Sequence, residues 1–74
     1  MPHFVTEFIR IVCNGEERRI AAGATPADLL AELRLEPKHV AVELNLRLVP
    51  RARHAAERLA EGDRVEIVTL VGGG

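Results

Sequence analysis

Only one stretch of this chain has the period of an amphipathic helix, and it is short. Leu29, Leu30 and Leu33 make one apolar stripe at i, i+1 and i+4. Thr25 suits the N-cap, Pro26 the first turn where a missing N–H costs nothing, and Asp28 the positive end of the helix dipole. Pro37 keeps the helix from running on, which predicts about ten residues within the usual boundary uncertainty. Every other apolar run alternates with a period of two.

Phe8 to Cys13 is rich in β-branched residues, with Ile9, Ile11 and Cys13 on one face and Phe8, Arg10 and Val12 on the other. Asn14-Gly15 follows, the dipeptide that best tolerates the positive φ angles of a type I′ turn, so Glu17 to Ala21 returns as an antiparallel partner. Ala22-Gly23-Ala24 breaks that strand before the helix. Val40, Val42 and Leu44 point inward from a third strand, and Leu46 to Val49 forms a short fourth ended by Pro50. Arg51 to Leu59 is either one helical turn or an irregular loop, anchored by Leu59. Glu61-Gly62-Asp63 is a turn, and Arg64 to Val71 is the last strand, with Val65 and Ile67 inward. Residues 1–7 either extend the first strand or form a loose end.

A chain of 74 residues buries only about 60% of the surface that its unfolded form exposes, so it makes one domain around one core. One helix on one face of a mixed sheet of four to five strands is the two-layer α+β solution. The long final strand belongs in the middle, between the first and third. That arrangement is the β-grasp, or ubiquitin-like, fold, spanning residues 1–74 with residues 72–74 as a flexible glycine tail.

The net charge of -1 gives no footprint for nucleic acid and no polybasic membrane patch. No run is long enough to cross a bilayer, and Glu7 and Arg10 interrupt any signal-peptide core. Cytoplasmic residence is the resulting expectation. A single cysteine, Cys13, allows no internal disulfide and rules out the four-cysteine cluster of plant-type ferredoxins.

A conventional active site is hard to find. His3, His39 and His54 have no ligand spacing and read as exposed loop residues, so no metal site is expected. Cys13 faces inward, where it behaves as a small hydrophobe. Gly72-Gly73-Gly74, after a well-formed strand, contributes nothing to packing and is costly to order. It is either a frayed end or a thread without Cβ atoms that carries one reactive group, the α-carboxylate. Adenylation by ATP would turn that carboxylate into a mixed anhydride, which a sulfur nucleophile can open to a thiocarboxylate. The catalytic residues would then belong to partners, the chain itself being neither an enzyme nor a holder of any cofactor.

Asn14-Gly15-Glu16, Val40 to Asn45, Leu48-Val49-Pro50-Arg51, Leu59 to Val68 and Val71-Gly72-Gly73-Gly74 occur in the order in which the ThiS sulfur carriers of thiamin biosynthesis carry such segments. The chain resembles that family from about Ile9 to Gly74. Two departures stand out. Leu46 follows Asn45 where a small residue is common, which predicts a wider hairpin, and the segment before Ile9 is longer than usual. The resemblance implies that a ThiF-like adenylyltransferase activates Gly74 with ATP and magnesium. Sulfur from cysteine, passed through a desulfurase or sulfurtransferase persulfide, makes the thiocarboxylate, which a ThiG-like thiazole synthase accepts. Gly72 and Gly73 thread the tail into those enzymes. MoaD-like carriers of molybdopterin synthesis, carriers for cysteine or RNA thiolation, and an inert ubiquitin-like binding module are the alternatives.

The outer sheet face gives a second lead. Glu66, Val68 and Leu70 alternate away from the helix, and no second helix exists to cover them. Val12 and Ala41 fall on the same side. Together with Val71 beside the tail, these residues are the candidate partner-binding surface.

Overall fold

The computed structural model describes residues 7–70. Strand β1 (Phe8–Cys13) and strand β2 (Glu16–Ala21) are followed by helix α1 (Pro26–Leu33), strand β3 (Val40–Leu44), strand β4 (Arg47–Val49) and strand β5 (Arg64–Thr69). Single 3-10 turns cover Pro37–His39 and Arg51–Arg53, so Arg51 to Leu59 is a loop that opens on one helical turn. The sheet has five strands in the order β2-β1-β5-β3-β4. β5 lies between β1, to which it runs parallel, and β3, to which it runs antiparallel. The central place expected for the last strand is the one it takes. Leu70 lies just past the strand, which ends at Thr69.

Local chemistry explains each element. Asn14 and Gly15 take φ of 50° and 83°, the two positive angles of a type I′ turn, and pair Cys13 with Glu16 across the hairpin. At the helix start Thr25 Oγ1 accepts from the Asp28 N–H, and Asp28 Oδ2 accepts from the Thr25 N–H at 2.9 Å. This reciprocal box satisfies two N–H groups that the helix itself leaves open. The apolar stripe of α1 then sinks into the sheet. Ile11, Ile20, Leu29, Leu30, Val42 and Val65 are buried, joined by Val40, Ala24 and Leu59. Ile9, Cys13, Leu33, Leu44 and Ile67 pack against this cluster from its margin. Each fully buried aliphatic side chain contributes about 1.5–3 kcal/mol, which in so small a domain makes every one of them count.

Three details depart from the sequence reading. The helix has eight residues and stops before Pro37 can act. Arg34 takes the left-handed conformation (φ 58°), its N–H reaches Ala31 O, and the Leu35 N–H donates to Leu30 O at 2.9 Å. That is a Schellman ending with arginine in the place usually given to glycine.

The β3–β4 hairpin is also tighter than Leu46 suggested. Leu44 pairs with Arg47, leaving only Asn45 (φ 51°) and Leu46 (φ 70°) in the turn. Leu46 is thus held where a bulky side chain rarely goes, and it is 87% exposed.

His54 is not an exposed loop histidine, since only 4% of its surface remains accessible. Its Nε2 lies 3.1 Å from Val49 O, the last carbonyl of β4, while its own carbonyl accepts from the Ala27 N–H in the first turn of α1. Leu59 donates its N–H to Ala24 O at 2.8 Å. The polar loop between β4 and β5 is therefore tied to the start of the helix at both His54 and Leu59. Residues 1–6, including His3, lie outside the described residues.

Candidate functional site

The two hairpins and the central strand set one corner of the outer sheet face. β5 passes between β1 and β3, and its end is held by the Leu70 N–H donating to His39 O at 2.7 Å. Strand alternation turns Val65 and Ile67 toward the helix and leaves Glu66 and Val68 on the open side. Val68 sits opposite Ala41, and both it and Leu70 are about half exposed (52% and 51%). Ala41, Val68 and Leu70 form one apolar strip running toward residue 71.

Val12 shares this face but not this strip. The parallel register places it level with Arg64, four residues before Val68, which is about 13 Å along the strand. Arg64 lies beside Val12, and Glu66 lies between Val12 and Val68 along the strand. Val71, Gly72, Gly73 and Gly74 fall outside the described residues.

Two neighbours of the strip escaped the sequence reading. Glu43 faces Glu66 across β3 and β5, and Leu48 faces Glu43 across β3 and β4, so the row Leu48–Glu43–Glu66 flanks the row Ala41–Val68. Leu48 is 66% exposed. Among the described residues neither glutamate meets a basic side chain at ion-pair distance; the pairs present are Arg10–Glu17, Arg18–Glu32 and Arg53–Glu57. The period-two pattern of β3 already placed Glu43 outward. Its meeting with Glu66 depends on a register between strands distant in sequence, which no local pattern encodes.

The remaining reactive groups are dispersed. Among the described residues no three His, Cys, Asp or Glu side chains converge as a metal site would require. Cys13 is half-buried, facing a cleft of about 440 Å³ lined also by Arg18, Leu33 and Leu35. Burial pushes its thiol above the ordinary value, with Arg18 pulling the other way. A thiol held protonated is a weak nucleophile. No described helix is long and apolar enough to cross a membrane.

A five-stranded mixed sheet with one helix on one face, its central strand leading into a run of glycines, defines a β-grasp module. Residues 4–74 match the ThiS family. The chain is 44% identical over 50 residues to the sulfur carrier protein ThiS of Bacillus subtilis, covering 68% of this chain and 76% of that protein. It is also 44% identical over 66 residues to a thiazole synthase of Paramagnetospirillum magneticum, covering 89% of this chain but only 20% of that enzyme. The crystal structure of the thiamine biosynthesis protein ThiS from Geobacter metallireducens superposes with a TM-score of 0.77 at 29% identity, covering 89% of this chain and all of that one. The chain belongs to the ThiS family.

Proposed function

We propose that this chain is the sulfur carrier of thiazole formation and that Gly74 carries the sulfur. The observation that carries the reading is the family match, which runs through the three glycines to residue 74. An adenylyltransferase of the ThiF type would bring ATP and magnesium. A carboxylate oxygen of Gly74 attacks the α-phosphorus, pyrophosphate leaves, and an acyl-adenylate results. The terminal sulfur of a partner's persulfide attacks the acyl carbon and AMP leaves. A partner thiol then cleaves the S–S bond, becoming a disulfide as the thiocarboxylate is released. Thiazole synthase is the acceptor, a reading supported by the enzyme of that name that contains a segment like this chain within its own sequence.

The chain's own share of this chemistry is to present the tail. Glycines at 72 and 73 have no Cβ to obstruct a narrow channel, and the strip of Ala41, Val68 and Leu70 seats the domain on the enzyme. Catalysis and nucleotide binding belong to the partners, and the site of action is the cytoplasm.

The test is mass analysis of the chain after incubation with the cognate adenylyltransferase, ATP, magnesium and a persulfide donor. Oxygen-to-sulfur exchange at Gly74 is expected. Deleting Gly74 withdraws the carboxylate by roughly 3.5 Å in an extended tail. Near-attack geometry loses about a hundredfold for 1 Å, so the shortened chain should not be adenylated. Normal thiocarboxylate formation without Gly74 would refute the assignment.

A further inference from the structure

The outer face holds an arrangement that does nothing for the fold. Glu43 and Glu66 stand directly opposite each other on β3 and β5, both partly buried, with no basic side chain at ion-pair distance among the described residues. Like charges placed directly across a strand pair destabilise a sheet. Basic residues are not scarce in this chain; Arg10, Arg18 and Arg53 each pair with a glutamate elsewhere. The glutamates are moreover framed by apolar groups: Leu48 on one side and, one row on, Ala41 and Val68, with Val68 and Leu48 open to solvent. A partner that covers this frame removes water from the carboxylates and favours a cation of its own beside them, since Arg64, the basic residue next along this face of β5, is not at ion-pair distance.

We propose that Glu43 and Glu66 together receive one arginine side chain of the adenylating enzyme, seated between the apolar contacts of Leu48 and Val68. The inference rests on the reading that such an enzyme docks on this face, and it adds the chemistry of the contact. Charge complementarity selects the occupant. An enzyme that brings ATP polyphosphate to a carboxylate tail must surround that tail with cationic groups, and Glu66 of the acidic pair lies on β5, the strand that precedes the tail in sequence. Arginine fits better than lysine, because a planar fork of five donors can bond two carboxylates at once, and it loses less on desolvation. A charged centre ringed by apolar groups that exclude water is the pattern of an interface hot spot.

The experiment measures steady-state adenylation, with the cognate enzyme and ATP, of the full chain and of the variants E43Q/E66Q and V68D. E43Q/E66Q keeps the shape and removes the charge. It should raise KM for the carrier about thirtyfold or more with kcat unchanged, as expected for a desolvated charge pair that loses one side. It should also flatten the dependence of KM on salt. Its thermal stability should equal or exceed that of the parent chain, since the repulsion is gone, which separates this role from a structural one. Wild-type KM and salt dependence in E43Q/E66Q, with V68D impaired, would leave the docking face standing and overturn the carboxylate pair. Unchanged KM in both variants would overturn the docking face as well. A parent chain that the enzyme does not adenylate would remove the functional reading itself, and this inference with it.

Discussion

The side-chain amide of Asn14 clasps the backbone of Ile67 from both ends. Its Oδ1 accepts the Ile67 N–H at 2.7 Å and its Nδ2 donates to Ile67 O at 3.2 Å. The parallel ladder between β1 and β5 runs from the Val12 N–H on Asp63 O to the Asn14 N–H on Val65 O, and the amide then adds one more rung where β1 has already turned away. On the other flank of β5, Asn45 does the same kind of work. Its N–H donates to Arg64 O and its Oδ1 accepts the Arg64 N–H at 2.9 Å. Each hairpin turn thus supplies an asparagine that both takes the left-handed conformation and fastens the central strand.

This predicts that Asn14→Gly, which keeps the turn conformation and deletes only the amide, lowers stability by about 1–3 kcal/mol, two hydrogen bonds' worth. Urea unfolding monitored by circular dichroism measures it. Stability equal to the parent chain's would show that the amide adds nothing beyond the turn.

Leu46 makes the opposite case. A left-handed residue with a Cβ costs about 1–2 kcal/mol, and a side chain that is 87% exposed recovers little of it through burial. Glycine removes that strain but loses about 0.4–1 kcal/mol through the greater freedom of its unfolded chain. Leu46→Gly should therefore stabilise the domain by roughly 0.5–1 kcal/mol, the difference between those two effects. A lower thermal midpoint for this variant would mean that Leu46 makes a contact that repays its strain.

Cys13 links the core to pH. Burial raises its thiol above the ordinary value of 9.0, so the folded chain holds that proton more tightly than the unfolded one. The resulting stability is fully present below the unfolded value and is lost as pH rises through the folded one. Comparing Cys13→Ala with the parent chain should show a shallower alkaline decline in the variant, read from unfolding midpoints across pH 8 to about 11, a range that brackets the thiol's titration. Alkylation of Cys13 near pH 8 should likewise be slower in the native chain than in urea. Equal rates would place the thiol in free solvent.

Much of the fold was legible because its signals are local. The alternation of Ile9 and Ile11, the Asn14-Gly15 turn, the box of Thr25 and Asp28 and the stripe of Leu29, Leu30 and Leu33 each specify structure within a few residues. The central position of β5 followed from its length and apolar character. What stayed hidden depends on distant partners. A histidine in a polar loop reads as exposed, and only a backbone acceptor supplied by a strand, Val49 O at the end of β4, explains why His54 turns inward. The tight hairpin at Leu46 contradicts residue preference and is set by the pairing of Leu44 with Arg47. Of the proposed docking surface, Ala41, Glu66 and Val68 could be placed on the open face from strand period alone. The distance of Val12 from them, and the meeting of Glu43 with Glu66, needed the register.

The order of strands also bears on synthesis. The strand that leaves the ribosome after the other four is the one that lies in the middle of the sheet. A nascent chain stopped short of Arg64 holds two hairpins with no strand between them to join them into one sheet, and the pairings of β5 with β1 and β3 wait for that late segment. Folding of this domain therefore waits on translation of its own final strand, and hence on the residues just upstream of the glycines. A ribosome that stalls early leaves a chain without the central strand on which both halves of the sheet are built.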